Sequence, residues 1–231
     1  MTKDFSGFQK KLGLKFHNPD LLEQAFVHRS YLNENPDSGL EHNERLEFLG
    51  DAVLELVVTE YLYAKYPEKN EGELTSFRAA MVNSVMLSEV AQGIGMGDYL
   101  LLSRGEARDL GKARQYILAN TLEALVGAIY LDGGYEGAHV FLKETLFPKI
   151  HEVHEKKLWI DAKSHFQEKA QEVAGTTPSY KVINESGPDH AKNFIVGVYL
   201  GEICVAKGEG FSKQEAEQAA ARNGLELKGW E

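Results

Sequence analysis

The apolar residues in the first two thirds of the chain recur with a helical period. They fall three and four positions apart in residues 44–66, 73–93 and 119–131. Further helices are predicted at 21–29, after an Asn-Pro-Asp start signal, and at 140–158. No stretch before about residue 150 alternates as a strand would. The pattern therefore predicts that the first part of the chain is all-helical.

After this region the pattern changes to alternating helix and strand signals. The predicted elements, in chain order, are a helix at 163–174, strands at 180–184, 194–200 and 203–206, and a helix at 212–225 with Ser212 as N-cap and Glu215 in a capping box. This α-β-β-β-α order predicts a small α+β domain in which two helices cover one face of a three-stranded sheet. The chain then divides into an all-α domain (1–155), a linker (156–160) and an α+β domain (161–231).

The composition is that of a soluble globular protein, with 43% hydrophobic and 26% charged residues among 231. No apolar run approaches the ~20 residues that span a bilayer, and no apolar stretch follows the first charges as in a secretory signal. We therefore expect a cytoplasmic protein with no membrane segment. The single cysteine, Cys204, excludes a disulfide framework and a Cys-based zinc site, and is expected to be a buried small side chain.

The net charge of −10 limits how the chain can bind nucleic acid. Residues 161–231 hold 8 Lys and Arg against 11 Asp and Glu, a net of −3, and the remaining 160 residues have a net of −7. Nucleic-acid binders are usually basic, so phosphate contacts in this chain must come from local clusters of cations. The acidic balance is compatible with carboxylates gathered around a divalent metal.

One predicted helix carries a stripe of acidic residues. Glu44, Glu47, Asp51 and Glu55 are spaced three, four and four apart, which places them on one helix face. Gly50, in the middle, costs about 1 kcal/mol relative to Ala, and indicates close approach of another backbone or of a ligand. The spacing alone leaves two interpretations open, a buried metal site and an exposed acidic stripe.

A second predicted helix supplies complementary groups. Residues 117–132 are apolar nearly all round, which is typical of a buried helix. Asn120 and Glu123 lie three apart on one face of it, and a buried Glu needs a partner. The simplest partner is a cation held jointly with Glu47 and Asp51. Oxygen ligands of this kind suit Mg²⁺ or Mn²⁺.

Residues 44–51, Glu-Arg-Leu-Glu-Phe-Leu-Gly-Asp, resemble the signature of the ribonuclease III family. The resemblance covers almost the whole chain: residues 26–31, 72–78 and 103–106 are similar to other blocks of that family, and residues 119–132 to its second acidic motif. The α-β-β-β-α tail resembles a double-stranded-RNA-binding domain. This order of domains is that of the compact bacterial enzymes.

The resemblance implies a catalytic site of Glu47, Asp51 and Glu123. It also implies that Glu47, Asp51, Glu123 and position 120 hold Mg²⁺, with Mn²⁺ as a substitute. The family pattern usually has Asp where this chain has Asn120. Asn keeps an oxygen ligand but loses a negative charge, so we expect weaker metal binding at one position and retention of the site.

The activity that the resemblance implies is hydrolysis of phosphodiester bonds in double-stranded RNA by metal-assisted attack of water. The products would carry 5′-phosphate and 3′-hydroxyl ends, and the substrates would be ribosomal RNA precursors, messenger RNA and other structured RNA. The family acts as a homodimer. The candidate interface residues are Leu46, Phe48 and Leu49. For each of them, a place in the core of its own protomer is an equally good interpretation.

The resemblance also implies where RNA is bound. The matching positions are Gln167 and Glu168 on the first helix of the tail, His190 in a loop between strands, and Lys213 with Gln214 at the start of the last helix. Independently of the resemblance, the loop before the second acidic helix contains a cluster of cations, Arg104, Arg108, Lys112 and Arg114. Such domains recognise the shape of a duplex through 2′-hydroxyl and phosphate contacts. The family often has a second basic residue at position 214, so Gln214 predicts weaker binding.

The sequence alone leaves other assignments open. The chain can be a double-stranded-RNA-binding protein that has lost cleavage through Asn120, or an all-helical metal-binding interaction protein without RNA. His28 can be an acid or base, although a His on the inner face of a helix is more often a satisfied core group. His151 and His154 can bind zinc, but structural zinc sites typically use Cys or His from separate elements.

Overall fold

A computed structural model describes residues 3–108, 111–155, 159, 161–187 and 192–230, which form two compact units, 1–159 and 160–231. The helices of the first unit are α1 (Ser6–Leu12), α2 (Pro19–Ala25), α3 (Arg29–Glu34), α4 (Glu44–Lys65), α5 (Glu71–Val82), α6 (Ser84–Gly93), α7 (Lys112–Thr145) and α8 (Pro148–Glu155). The second unit contains α9 (Ala162–Ala174), β1 (Ser179–Ser186), β2 (Asn193–Leu200), β3 (Ile203–Gly210) and α10 (Lys213–Lys228). Of the linker predicted at 156–160, all but residue 159 lies outside the described residues.

The helix predicted at 21–29 is wrong in extent, because its last residues join a backbone bridge. α2 ends at Ala25, and residues 26–28 then run beside Leu101 in a parallel bridge centred on Val27. The Leu101 amide donates to the Phe26 carbonyl at 2.9 Å, and the His28 amide donates to the Leu101 carbonyl at 3.0 Å. These bonds use backbone groups that would otherwise continue the helix.

Three other predicted helices also differ in their bounds. The segment 73–93 is two helices, α5 and α6, which meet at the extended residue Asn83, whose side chain accepts from the Met86 amide and caps α6. The helix predicted at 119–131 begins earlier, at Lys112, but the stop predicted at Gly133-Gly134 is confirmed by a break in α7 at Gly134, where φ is 69°. The segment predicted at 140–158 is the end of α7 followed by α8. The side-chain cap at Asn83 and the positive φ at Gly134 set two bounds that periodicity does not reveal.

The core of the first unit is built around α4 and α7. Both helices bury long apolar faces, as the periodicity predicts, and α7 is buried nearly all round from Ile117 to Ile129. The fully buried side chains of the two helices include Leu54, Val57, Val58, Leu62, Leu122, Leu125 and Val126. Within the described parts of the chain, no helix combines the length and apolar composition that crossing a membrane requires.

The second unit confirms the predicted α-β-β-β-α order. Its antiparallel sheet has the order β1-β2-β3. The helices α9 and α10 cover one face, and the buried core there includes Phe166, Ala170, Val198, Ala220 and Leu225. Gly208 of β3 lies against α10: a Cβ at this position would be 2.1 Å from the Ala220 nitrogen. This absence of a side chain allows the last helix to lie directly on the sheet.

The expectation that Cys204 is buried is wrong, because β3 contains an irregularity. The pairing of β2 with β3 shifts register between Val198 and Tyr199, so that Cys204 lies opposite Tyr199. A one-residue shift exchanges the two faces of a strand. Cys204 is therefore exposed on the sheet face that the helices leave uncovered.

Candidate functional site

The helices α4 and α7 touch backbone to backbone at Gly50. A Cβ on Gly50 would be 1.7 Å from the Glu123 carbonyl oxygen and 2.9 Å from the Gly127 nitrogen, distances that no real Cβ can adopt. The prediction that another backbone approaches Gly50 is thus confirmed. The contact brings Glu123 to the part of α4 that lies between Glu47 and Asp51.

The acidic groups predicted to share a site come from these two helices. On α4, Glu47 is half-buried, whereas Asp51 is exposed, as are Glu44 and Glu55. On α7, Asn120 and Glu123 are half-buried. The stripe is therefore divided, since its outer members face solvent and Glu47 faces α7. The Asn120 side chain lies close enough to Glu47 to act on the pKa of its carboxyl group.

Burial and mutual repulsion perturb two of these carboxyl groups. Burial, reinforced by the charges of Asp51 and Glu47, raises the pKa of Glu123 to about 7. Burial first, and then the charges of Glu44 and Asp51, also raises the pKa of Glu47, and the hydrogen bond from Asn120 opposes that rise. The site therefore holds excess negative charge that a cation would neutralise.

The chemistry of this donor set fits a divalent metal. Three carboxylates and one amide oxygen are hard ligands of the type that Mg²⁺ and Mn²⁺ take. With the side chains as they stand, the described residues contain no group of three His, Cys, Asp or Glu side chains close enough to hold an ion. The helices thus bring the candidate ligands Glu47, Asp51 and Glu123 close enough for each charge to act on the others.

Asn43 fixes the start of α4, and sequence reasoning missed this role. It is 3% exposed, and its Nδ2 atom donates to the Ala25 carbonyl at 3.0 Å. Its backbone amide donates to the Val27 carbonyl, and its own carbonyl accepts from the Glu47 amide, both at 2.9 Å. The available signal was an Asn directly before a helix, which suggests an N-cap, but the Asn43 side chain forms no cap bond.

His28 lies at a helix start, not on the inner face of a helix as predicted. It is the N-cap of α3, and its Nδ1 atom accepts from the Ser30 amide at 3.3 Å. The Ser30 hydroxyl lies 2.8 Å from the same nitrogen and accepts from the Ser103 amide at 3.0 Å. Burial lowers the pKa of His28, so the neutral ring is favoured in this structural role.

The three candidate interface residues have different environments. Leu46 is 4% exposed and belongs to the core of its own unit, and Leu49 packs partly buried against that core. Phe48 is 82% exposed. Of these three, only Phe48 presents most of its side chain to solvent, which is unusual for a large aromatic side chain.

Four of the predicted RNA contacts lie on the surface of the second unit. Gln167 and Glu168 on α9 are exposed, as are Lys213 and Gln214 at the start of α10. His190 lies outside the described residues. The Ser212 hydroxyl accepts from the Glu215 amide at 3.1 Å, while the Glu215 carboxylate accepts from the Phe211 amide at 2.8 Å. This doubly bonded turn holds Lys213 in the first turn of α10, where the helix dipole attracts phosphate.

The loop cluster predicted in the first unit has three exposed members. Arg104 and Arg108 are exposed, and so is Lys112 at the start of α7. The Arg104 backbone amide donates to both carboxylate oxygens of Glu34, at 3.2 and 3.3 Å, which fixes the loop. The Arg114 guanidinium donates to the Gly97 carbonyl at 3.0 Å. Arg114 therefore has a structural contact within its own unit, and its part in RNA binding stays a prediction.

Comparison with family models identifies both units. Residues 18–150 match the model described as ribonuclease-III-like, and residues 162–228 match the model of the double-stranded RNA binding motif. These two ranges together account for most of the chain.

Similar proteins give the same picture. A ribonuclease 3 of Desulforamulus reducens is 47% identical over 217 residues, covering 94% of this chain and 88% of the relative. A ribonuclease 3 of Bdellovibrio bacteriovorus is 44% identical over 225 residues, covering 95% and 94%. Among solved structures, the nuclease domain of ribonuclease III from Campylobacter jejuni is 37% identical with a TM-score of 0.57, covering 63% of this chain and 97% of that domain.

Proposed function

Because this chain belongs to the ribonuclease III family and contains both domains, it is an endoribonuclease that acts on double-stranded RNA, and we propose that the α4–α7 site performs the cleavage. The contact of Gly50 with the Glu123 backbone supports this proposal most directly. It brings Glu123 beside Glu47 and Asp51, so that three carboxylates from two helices face one another. The alternative of a binding protein without cleavage is not favoured, since the relatives are ribonucleases.

The residues that would hold a divalent metal are Glu47, Asp51, Asn120 and Glu123. When bound there, Mg²⁺ or Mn²⁺ would activate water for attack on phosphorus and stabilise the leaving 3′ oxygen, leaving 5′-phosphate and 3′-hydroxyl ends. Asn120 would supply its amide oxygen to the metal, and its side chain lowers the pKa of Glu47, which favours the carboxylate form that binds a cation. Burial of Glu123 excludes part of the water that would otherwise screen the site, which strengthens charge interactions within it.

The second unit would bind the duplex, and the exposed cations of the first would assist. Lys213 in the first turn of α10 supplies a phosphate contact, with Gln167, Glu168 and Gln214 on the same unit and His190 as a further predicted contact. Arg104 and Arg108 add cations in the nuclease domain. These contacts read the duplex by shape and charge. The physiological substrates are proposed to be ribosomal RNA precursors and other structured RNA in the cytoplasm.

The active form is proposed to be a homodimer. Phe48 supports this, because an aromatic side chain left 82% exposed on the helix that carries the catalytic carboxylates is suited to burial against a second copy. A solved structure of the related Campylobacter jejuni nuclease domain concerns a region involved in dimer formation. We also propose the division into domains at 1–155 and 161–231, which the family matches at 18–150 and 162–228 support.

Cleavage of a long RNA duplex with and without Mg²⁺ tests the proposed function. We expect shortened duplex fragments with 5′-phosphate and 3′-hydroxyl ends, formed only with the metal. Glu123→Gln should abolish cleavage while leaving duplex binding nearly intact, since it removes charge and keeps shape. Glu136→Gln, at an exposed position of the same helix, is the matched control and should cleave as the parent does. Loss of binding together with cleavage in Glu123→Gln would contradict the proposal.

A further inference from the structure

Gly127 of α7 lies where no side chain can fit. A Cβ built on it would be 2.3 Å from the Leu46 carbonyl oxygen and 3.1 Å from the Gly50 nitrogen. Both neighbours are backbone atoms of α4, so no rotation of a side chain relieves the contact. Any other residue at position 127 forces the two helices apart.

The turns that meet at this crossing are those that carry the metal-binding groups. On α4, Leu46 directly precedes Glu47, and Gly50 directly precedes Asp51. On α7, Gly127 lies one turn after Glu123, whose carbonyl oxygen is in turn the closest neighbour of Gly50. The distance between the helix axes at this point therefore determines the distance between the two sets of ligands.

The cost of glycine at this position also needs an explanation. Apart from proline, glycine is the least favourable residue inside a helix, and the neighbouring residues of α7 are buried and apolar. Ala at position 127 would favour the helix and the core. The structure offers one compensating gain, which is the close approach of α4.

We propose that Gly127 is a positioning residue for the cleavage reaction: by lacking a side chain, it sets the α4–α7 spacing at which Glu47 and Asp51 share one metal site with Asn120 and Glu123. This inference rests on the proposed function of that site. Gly127 touches neither substrate nor metal and acts through the backbone of α4.

The size of the effect follows from the distances. A carbon placed 2.3 Å from the Leu46 oxygen must move to about 3.4 Å, so the helices must separate by about 1 Å. A misplacement of about 1 Å in a catalytic constellation costs up to about 100-fold in rate. We therefore expect Gly127→Ala to lower kcat by about 10- to 100-fold. KM for duplex RNA should stay unchanged, because the proposed RNA contacts lie elsewhere.

The experiment compares Gly127→Ala with Gly133→Ala in the full chain. Gly133 lies on the same helix, and a Cβ there would have nothing within 4 Å. Gly50→Ala places a methyl group at the same contact between α4 and α7, but from the α4 side, and is measured in parallel. Gly127→Ala and Gly50→Ala are called the crossing variants. For each protein, four quantities are measured: helicity and Tm without metal, Kd for duplex RNA without metal, the rise in Tm on adding Mn²⁺, and kcat and KM in Mg²⁺.

The proposal is supported if either crossing variant remains folded with unchanged duplex Kd and KM, a smaller Mn²⁺-induced rise in Tm, and a kcat reduced at least about 10-fold, while Gly133→Ala behaves as the parent. Parental kcat and Mn²⁺ response in Gly127→Ala would overturn it. Unfolding of both crossing variants would also overturn it, because the crossing would then serve the fold. If the parent itself does not cleave, the proposed function fails, whereas the Mn²⁺-induced rise in Tm still tests the spacing of the ligands.

Discussion

Replacing Glu123 by Gln should stabilise the metal-free protein at high pH. The folded state holds the pKa of Glu123 at about 7, against an ordinary value of 4.5, because the group is buried beside Asp51 and Glu47. Between these two pH values the unfolded chain has released the proton while the folded chain still binds it. The folded state binds more protons, so stability falls as pH rises from 4.5 to 7 and stays reduced above 7.

The magnitude follows from the same values. A difference of about 2.5 pH units corresponds to about 3.4 kcal/mol at about 1.36 kcal/mol per unit. Glu123 keeps part of its surface in solvent, which screens the repulsion and reduces this to about 1–2 kcal/mol. At about 2–4 °C per kcal/mol for a domain of this size, Glu123→Gln should raise Tm by about 2–8 °C at pH 8.

Thermal unfolding in EDTA at pH 5 and pH 8 measures the effect. The stabilisation by Glu123→Gln should be large at pH 8 and much smaller at pH 5, where the folded state keeps Glu123 neutral and the pH is only about half a unit above the ordinary pKa of 4.5. Glu136→Gln, at an exposed position of α7, should show no such difference. Adding Mg²⁺ at pH 8 should raise the Tm of the parent more than that of the variant. Equal Tm values for parent and variant at pH 8, or the same gain at both pH values, would refute the reasoning.

Three further outcomes are expected. Asn120→Asp should lower the Mg²⁺ concentration needed for half-maximal cleavage and Asn120→Ala should raise it, because the first adds a ligand charge and the second removes the oxygen; equal metal titrations for all three proteins would exclude position 120 as a ligand. Lys213→Ala should weaken duplex binding and reduce the slope of log K against log salt by about 1, and an unchanged slope would show that Lys213 contacts no phosphate. Phe48→Ala should weaken self-association without lowering Tm of the monomer, as sedimentation at several concentrations would reveal, whereas an unchanged association constant would place the interface elsewhere.

The features that the sequence predicted correctly are those set by local patterns. The period of apolar residues located α4, because its buried face runs from Leu46 to Leu62. The unfavourable Gly50 indicated a close backbone contact before the partner was known. The order of the tail followed from strand and turn signals that lie within a few residues of each other.

The features that the sequence did not reveal depend on distant contacts. The break before α3 arises from pairing with Leu101, more than seventy positions away in the chain. Cys204 is exposed because of a register shift between two strands, and no local pattern reports such a shift. Gly127 was overlooked since its role appears only when Leu46 and Gly50 are placed against it.

The central position of α7 has a consequence for biosynthesis. The apolar faces of α4 and α6 are covered by α7, which is translated well after both of them. Until residues 112–145 leave the ribosome, the apolar faces of α4 and α6 lack their partner helix, and Glu47 and Asp51 cannot meet Asn120 and Glu123. The nuclease unit therefore cannot fold progressively from its N-terminus, and a chain interrupted before α7 would expose apolar helices to aggregation and proteolysis. The same helix thus brings the proposed catalytic partners of Glu47 and Asp51 and a large part of the buried core.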